Sequence, residues 1–209
     1  IRNLYAYRSA KPWQAPTSEV YLLLRAGMVL PPEEHTALVR DYLAAAEALA
    51  RPQRDNARIV INGAFCEQPP LGLIKSIEMA GCYIVDDDFM LVTRWLLDDV
   101  PADGNPLHEL SQAFLHRSAS TAAKYDVKRE DKGQFLLRQV KTGAAEGVIF
   151  AAPSFCDPAL LERPMLQDVL ARHNVPYTAF KYAENTGQMA PIREQAGTFA
   201  DSIKLWSAA

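Results

Sequence analysis

Two stretches decide how this chain reads: RIVINGAFCEQP at Arg58–Pro69 and GVIFAAPSFCDP at Gly147–Pro158. Each is a short, apolar, β-branched run, the pattern of a buried strand. Each stops at the same punctuation, Phe65-Cys66-Glu67 in the first and Phe155-Cys156-Asp157 in the second, with a proline close behind. In an open parallel sheet, ligands bind beyond the carboxyl ends of the strands, and proline suits the first turn of the helix that follows. A cysteine and a carboxylate are thus delivered twice to one rim, which makes that rim the candidate site.

Outward from these two runs, strand and helix alternate. A strand is expected at 59–65 and a helix at 71–80, closing before Gly81. A second strand at 83–85 ends in Asp86-Asp87-Asp88. Helical stretches at 91–97 and 107–115 are separated by a loop rich in proline, glycine and aspartate, and another helix spans 133–143. The third strand covers 148–152. The next helix carries Leu161, Met165 and Val169 at i, i+4 and i+8, beside Leu166 and Leu170. A fourth strand runs over 176–181, and the last helix shows Ile192, Ala196, Phe199 and Ile203 on one face. Upstream, residues 1–16 mix Tyr5, Tyr7 and Trp13 without a clean period. Residues 17–26 are helix-compatible, and Pro31-Pro32-Glu33-Glu34 opens a helix that stops before Pro52. The expectation is a three-layer α/β fold of Rossmann or flavodoxin type, with four mainly parallel strands in the order 2-1-3-4. A mostly helical segment over 1–57 precedes a Rossmann-like lobe over 58–209. That strand order sets Cys66 and Cys156 on neighbouring strands.

Composition narrows the function classes. A formal charge of −3 over 209 residues lacks the basic excess of a nucleic-acid-binding surface. No apolar run approaches the roughly 20 residues needed to span a bilayer, and no signal-peptide pattern opens the chain. Three cysteines without tight spacing do not make a disulfide framework, so a reducing cytoplasm is expected.

The residue types at the rim leave alternatives open. Cys66 and Cys156 suit nucleophiles or metal ligands, and equally suit small hydrophobes beside prolines. Cys82 begins a strand on the opposite rim and reads as buried. Asp86-Asp87-Asp88 suits a hard cation, or a solvated strand end with one carboxylate capping the following helix. Gln188 and Arg193 lie after the fourth strand, where an anion would find backbone donors. The four histidines show no metal-ligand spacing, and no phosphate-binding glycine motif follows the first strand. The basic stretch Lys124, Lys128, Arg129 and Lys132 reads as a solvated face.

At this point a family resemblance appears. FCEQPP, the aspartate-rich strand end, SFCDP and the ending ENTGQ…REQAGTF occur in the order found in the non-ATPase, B/C-type subunits of ATP-dependent benzoyl-CoA reductases, within the 2-hydroxyacyl-CoA dehydratase family. The resemblance covers roughly residues 58–206. It implies a [4Fe-4S] cluster whose last cysteine ligand matches Cys156, with Cys66 matching a cysteine of the reductase branch. Two further ligands would precede Ile1, so the chain resembles the carboxyl-terminal half of such a subunit and should bind the cluster poorly, and be inactive, alone. The implied partners are a sister B/C-type subunit, ATPase subunits that activate the electron, and an acyl-CoA substrate. By position on the rim, Glu67, Asp157 and Glu184 are assigned to catalysis, and Asp86, Gln188 and Arg193 to substrate binding. Competing readings are a 2-hydroxyacyl-CoA dehydratase subunit, a non-catalytic assembly lobe, and a receiver-like phosphoacceptor built on the aspartates.

Overall fold

The computed structural model describes residues 1–63, 68–89, 97–117, 133–183 and 189–207. Its centre is a four-stranded sheet of β1 (Ala57–Asn62), β2 (Cys82–Asp87), β3 (Gly147–Pro153) and β4 (Tyr177–Tyr182). All pairs are parallel, in the order β2-β1-β3-β4. Every residue of β3 is buried, as a strand must be when both faces of its sheet are covered. β4, at one edge, alternates instead, with Phe180 and Tyr182 buried and Lys181 exposed.

Alternation along the strands sorts the core into two layers. Ile59, Ile61, Ile84, Ile149 and Ala151 share one apolar cluster. They are covered there by α1 (Arg2–Ala10), α2 (Thr17–Ala26), α4 (Leu71–Met79) and α8 (Met189–Ser207), with Val39 of α3 (Pro32–Ala48) at its margin. Val60, Val85, Val148 and Phe150 face the other way, against α6 (Gln134–Thr142) and α7 (Asp157–Arg172). α5 (Pro106–His116) starts at Asn105, whose Oδ1 accepts from Leu107 N and His108 N at 3.0 and 3.2 Å, an N-cap.

Three local expectations are corrected. Residues 2–10 are helical, although no apolar period marks them. The buried face is Leu4, Tyr5 and Arg8, and its i+4 position is a charged residue. In α7 the buried face is Glu162, Leu166, Val169 and Leu170, whereas Leu161 and Met165 of the expected stripe are 75% and 47% exposed. β2 also runs on to Asp87 rather than stopping at Val85, because its carboxylates are compensated inside the fold. The helix expected over 91–97 lies, but for its last residue, outside the described residues.

One irregularity positions the site. Ile59 pairs with Ile84, but Val60 pairs with Asp86, so Val85 is an extra residue in β2. Such a bulge, uncommon in parallel ladders, shifts every later side chain to the opposite face. Asp87 consequently lies opposite Ile61, on the face covered by α1.

Candidate active site at the carboxyl rim

β1 and β3 are neighbours, paired from Ile59–Gly147 to Asn62–Phe150. β1 ends there while β3 continues to Pro153. The chain leaves β1 through Gly63 at φ +132°, a conformation that disfavours any L side chain. A Cβ at Gly63 would also lie 2.7 Å from the Ala151 carbonyl oxygen. The backbone N–H of Gly63 donates to both carboxylate oxygens of Asp88, at 3.0 and 2.9 Å. The end of β1 is therefore anchored to the end of β2.

The aspartate cluster is neither a solvated end nor an open cation site, which corrects both expectations for it. Asp87 and Asp88 are 2% and 1% exposed. Asp87 forms a close ion pair with Arg8, itself wholly buried, and its Oδ1 accepts from Phe89 N at 3.0 Å. Arg8 also reaches Thr17 Oγ1 at 3.5 Å, and its guanidinium stacks over the Tyr5 ring at 4.4 Å. Thr17 in turn donates to the Ile84 carbonyl at 3.0 Å, tying α2 to β2. A guanidinium from α1 thus supplies the cation that the strand end needs. Arg8 escaped sequence reasoning because its partner is 79 residues away; its one local signal is the nearby Tyr5, on which it stacks.

Asp86 differs from its neighbours. Its side chain is 25% exposed, 3.8 Å from Arg8 Nη2, and its Oδ1 accepts from Asp87 N at 2.8 Å. Burial pushes its carboxyl up to about 6, with Arg8 opposing the rise and the Asp87 charge adding to it.

Cys156 is fully buried at the N-cap of α7. Its N–H donates to Pro153 O and its carbonyl accepts from Leu160 N, each at 3.0 Å. The turn before it is held by Ser154, whose N–H and Oγ both donate to the Tyr182 carbonyl, at 2.8 and 3.0 Å. Asp157 is exposed in the first turn of α7, and Arg193 is exposed near the start of α8. The described rim thus brings Asp86, Cys156 and Asp157 to the same end of the sheet. Cys66, Glu67, Glu184 and Gln188 lie outside the described residues.

The donor set bears on any metal cluster. Cys82 sits at the amino end of β2, 1% exposed, and burial pushes its thiol up to about 12. It belongs to the opposite rim. Cys156, with Cys66 by sequence, falls short of the four thiolates a [4Fe-4S] cluster usually takes. Among the described residues no group of three or more His, Cys, Asp or Glu side chains converges on a metal position. Among the described residues no complete cluster site is formed.

Comparison with known proteins places this geometry in context. The family model described as "2-hydroxyglutaryl-CoA dehydratase, D-component" matches residues 1–203. A benzoyl-CoA reductase subunit of Thauera aromatica, of the C type, is 66% identical over 207 residues, covering 99% of this chain and 54% of that protein. The (R)-phenyllactyl-CoA dehydratase beta subunit of Clostridium sporogenes is 25% identical over 188 residues, covering 90% and 49%. The beta subunit of (R)-2-hydroxyglutaryl-CoA dehydratase from Acidaminococcus fermentans is 25% identical over 191 residues, covering 90% and 50%. The chain spans about half the length of the curated relatives it matches.

Proposed function

The chain belongs to the 2-hydroxyglutaryl-CoA dehydratase D-component family, and from that premise we propose that it is one lobe of a reductase subunit acting on an aromatic acyl-CoA. The observation that carries this reading is the 66% identity, over 99% of the chain, to a benzoyl-CoA reductase subunit. The dehydratase subunits stand at 25%, which makes dehydration of a 2-hydroxyacyl-CoA the second reading. The reaction proposed is reduction of the thioester-activated ring to a cyclic dienoyl-CoA.

In this reading Cys156 and Cys66 are contributed to a [4Fe-4S] cluster whose remaining ligands come from outside this chain. The cluster, when bound, supplies electrons at low potential; ATPase subunits and a sister B/C-type subunit complete the complex in a reducing cytoplasm. This chain's own part is to shape a water-excluding rim. The Gly63–Asp88 contact holds the end of β1 to that of β2, and the Ser154 turn holds the end of β3 to that of β4. Asp86, Gln188 and Arg193 contact the acyl-CoA, and Glu67, Asp157 and Glu184 carry protons. A carboxyl pushed up to about 6, as at Asp86, is an acceptor at neutral pH and gains a proton to donate as the pH falls to about 6.

The test is anaerobic co-expression of the full-length subunit with its partner subunits, with and without Cys156→Ser. Expected are ATP-dependent formation of a dienoyl-CoA from benzoyl-CoA, and loss of both that activity and the cluster's iron and acid-labile sulfide in the variant. Full iron content with unchanged turnover in Cys156→Ser sinks the ligand role. Water release from a 2-hydroxyacyl-CoA without ring reduction establishes the second reading.

A further inference from the structure

The amino rim of the sheet, opposite the proposed active site, carries a cavity of about 510 Å³. It lies between the α1–α2 turn, the 49–56 linker, α4 and the start of β2, and Trp13, Tyr83, Arg54 and Lys75 are among its walls. A second cavity of about 560 Å³ adjoins it and shares Trp13, Tyr83 and Arg54. Both volumes fall in the range of small-molecule sites, about 300–1,000 Å³. The strand between this rim and Asp87 is six residues long, so the two rims are roughly 20 Å apart.

The chemistry of the walls is selective. Trp13 and Tyr83 are half-buried, with ring centroids 6.2 Å apart and planes tilted by 55°. Tyr83 Oη accepts from Arg54 N at 2.7 Å, which fixes the ring and the linker together. Aromatic surface is therefore presented in a held position.

Of the carboxylates lining the two cavities, Glu19, Glu78 and Glu146 already answer internal partners, while Asp55 stays exposed. Glu19 takes both ends of Arg51, at 2.8 and 3.0 Å, and the Tyr42 hydroxyl at 2.8 Å. Glu78 accepts from Ser18 N at 3.2 Å, where burial drives its carboxyl toward the neutral form. Asp55 is 3.8 Å from Lys204, and Glu146 accepts from Arg58 N at 2.7 Å. Arg58 spends its guanidinium on the carbonyls of Ser9, Gly143 and Ala144. Arg54 and Lys75 are exposed at the mouth. A ligand entering meets a fixed aromatic wall and a cationic lip.

We infer that the amino rim is a second ligand site, for an anion of nucleotide size whose planar ring lies on Trp13 and Tyr83 while its phosphates meet Arg54 and Lys75. Binding at the amino rim does not depend on the chemistry proposed for the carboxyl rim; the effector role rests on that reading. A site a full strand length from that chemistry is suited to an effector rather than a reactant.

Calorimetric titration of the full-length subunit that contains this chain with ADP, inorganic phosphate and adenosine tests it. Expected is saturable ADP binding that weakens as salt rises, with adenosine and phosphate each at least about tenfold weaker because each lacks one half of the recognition. Lys75→Glu, on the exposed side of α4, and Trp13→Ala should each weaken ADP by about tenfold or more. Lys75→Glu removes no core contact, so it keeps the test informative if Trp13→Ala fails to fold. Absence of saturation at millimolar ADP overturns the site. Phosphate binding as tightly as ADP overturns the aromatic half, and an undiminished affinity in Lys75→Glu overturns the cationic half.

Discussion

Arg8 is the residue on which the carboxyl rim turns. A wholly buried guanidinium pairs with a buried carboxylate, so removing one partner strands the other charge in the core. Arg8→Ala is expected to cost about 3–5 kcal/mol, whereas Arg8→Met combined with Asp87→Leu should recover most of that loss. Urea unfolding of the two variants checks this, and equal losses in both contradict it. Asp86 sets a pH dependence of its own. Its folded value of about 6 stands above the unfolded value of about 3.9. Between these limits the folded chain binds the extra proton, so stability is fullest below about pH 4 and falls as pH rises to about 6, by at most about 3 kcal/mol. Asp86→Asn keeps an oxygen for Asp87 N, removes that slope, and should be more stable than the parent at about pH 7.5; melting curves from about pH 4 to about pH 8 decide it. The three aspartates were legible in sequence as a feature of the rim. Their partners were not, because Arg8 and the Gly63 N–H are tertiary neighbours that no local pattern couples to them.

At the scale of elements, strands and most helices followed from periodicity, and the exceptions have one cause. Where a polar residue occupies a buried helical position, the apolar period is broken and the eye is drawn to the wrong face. In α1 that residue is Arg8; in α7 it is Glu162, 8% exposed, beside an outward-facing Leu161. The register of α7 is open to direct check. Leu166, packed against Val148 and Phe150 in the same cluster, should lose about 2–5 kcal/mol on replacement by alanine. Leu161→Ala should stay within about 0.5 kcal/mol. A reversal of that order, read by chemical denaturation, shifts the helix by one position. The bulge at Val85 was also invisible, since nothing in Tyr83-Ile84-Val85-Asp86 distinguishes an extra residue from a paired one.

For the molecule as a whole, the α/β class, the parallel pairing and the order 2-1-3-4 all followed from alternation and right-handed winding. Cys66, Glu67, Glu184 and Gln188 rest on the sequence alone. Among the described residues no helix is long and apolar enough to cross a membrane. Integrity of the entire sheet has a reporter in Cys82, 1% exposed and with its thiol pushed up to about 12. Its alkylation at about pH 8 should proceed only through unfolding and accelerate with urea in step with the global transition. Peptide mapping that finds Cys82 modified as fast as a free thiol refutes this. The Arg8–Asp87 pair also has a consequence in time. Its members are 79 residues apart, and at about 5–20 residues per second a ribosome needs roughly 4–16 s to make the second after the first. Throughout that interval the Arg8 guanidinium lacks its buried carboxylate partner and stays in water. A helix made well before its partner strand is therefore secured late, and a nascent chain stalled between them should present the Arg8 face of α1 to proteases and chaperones.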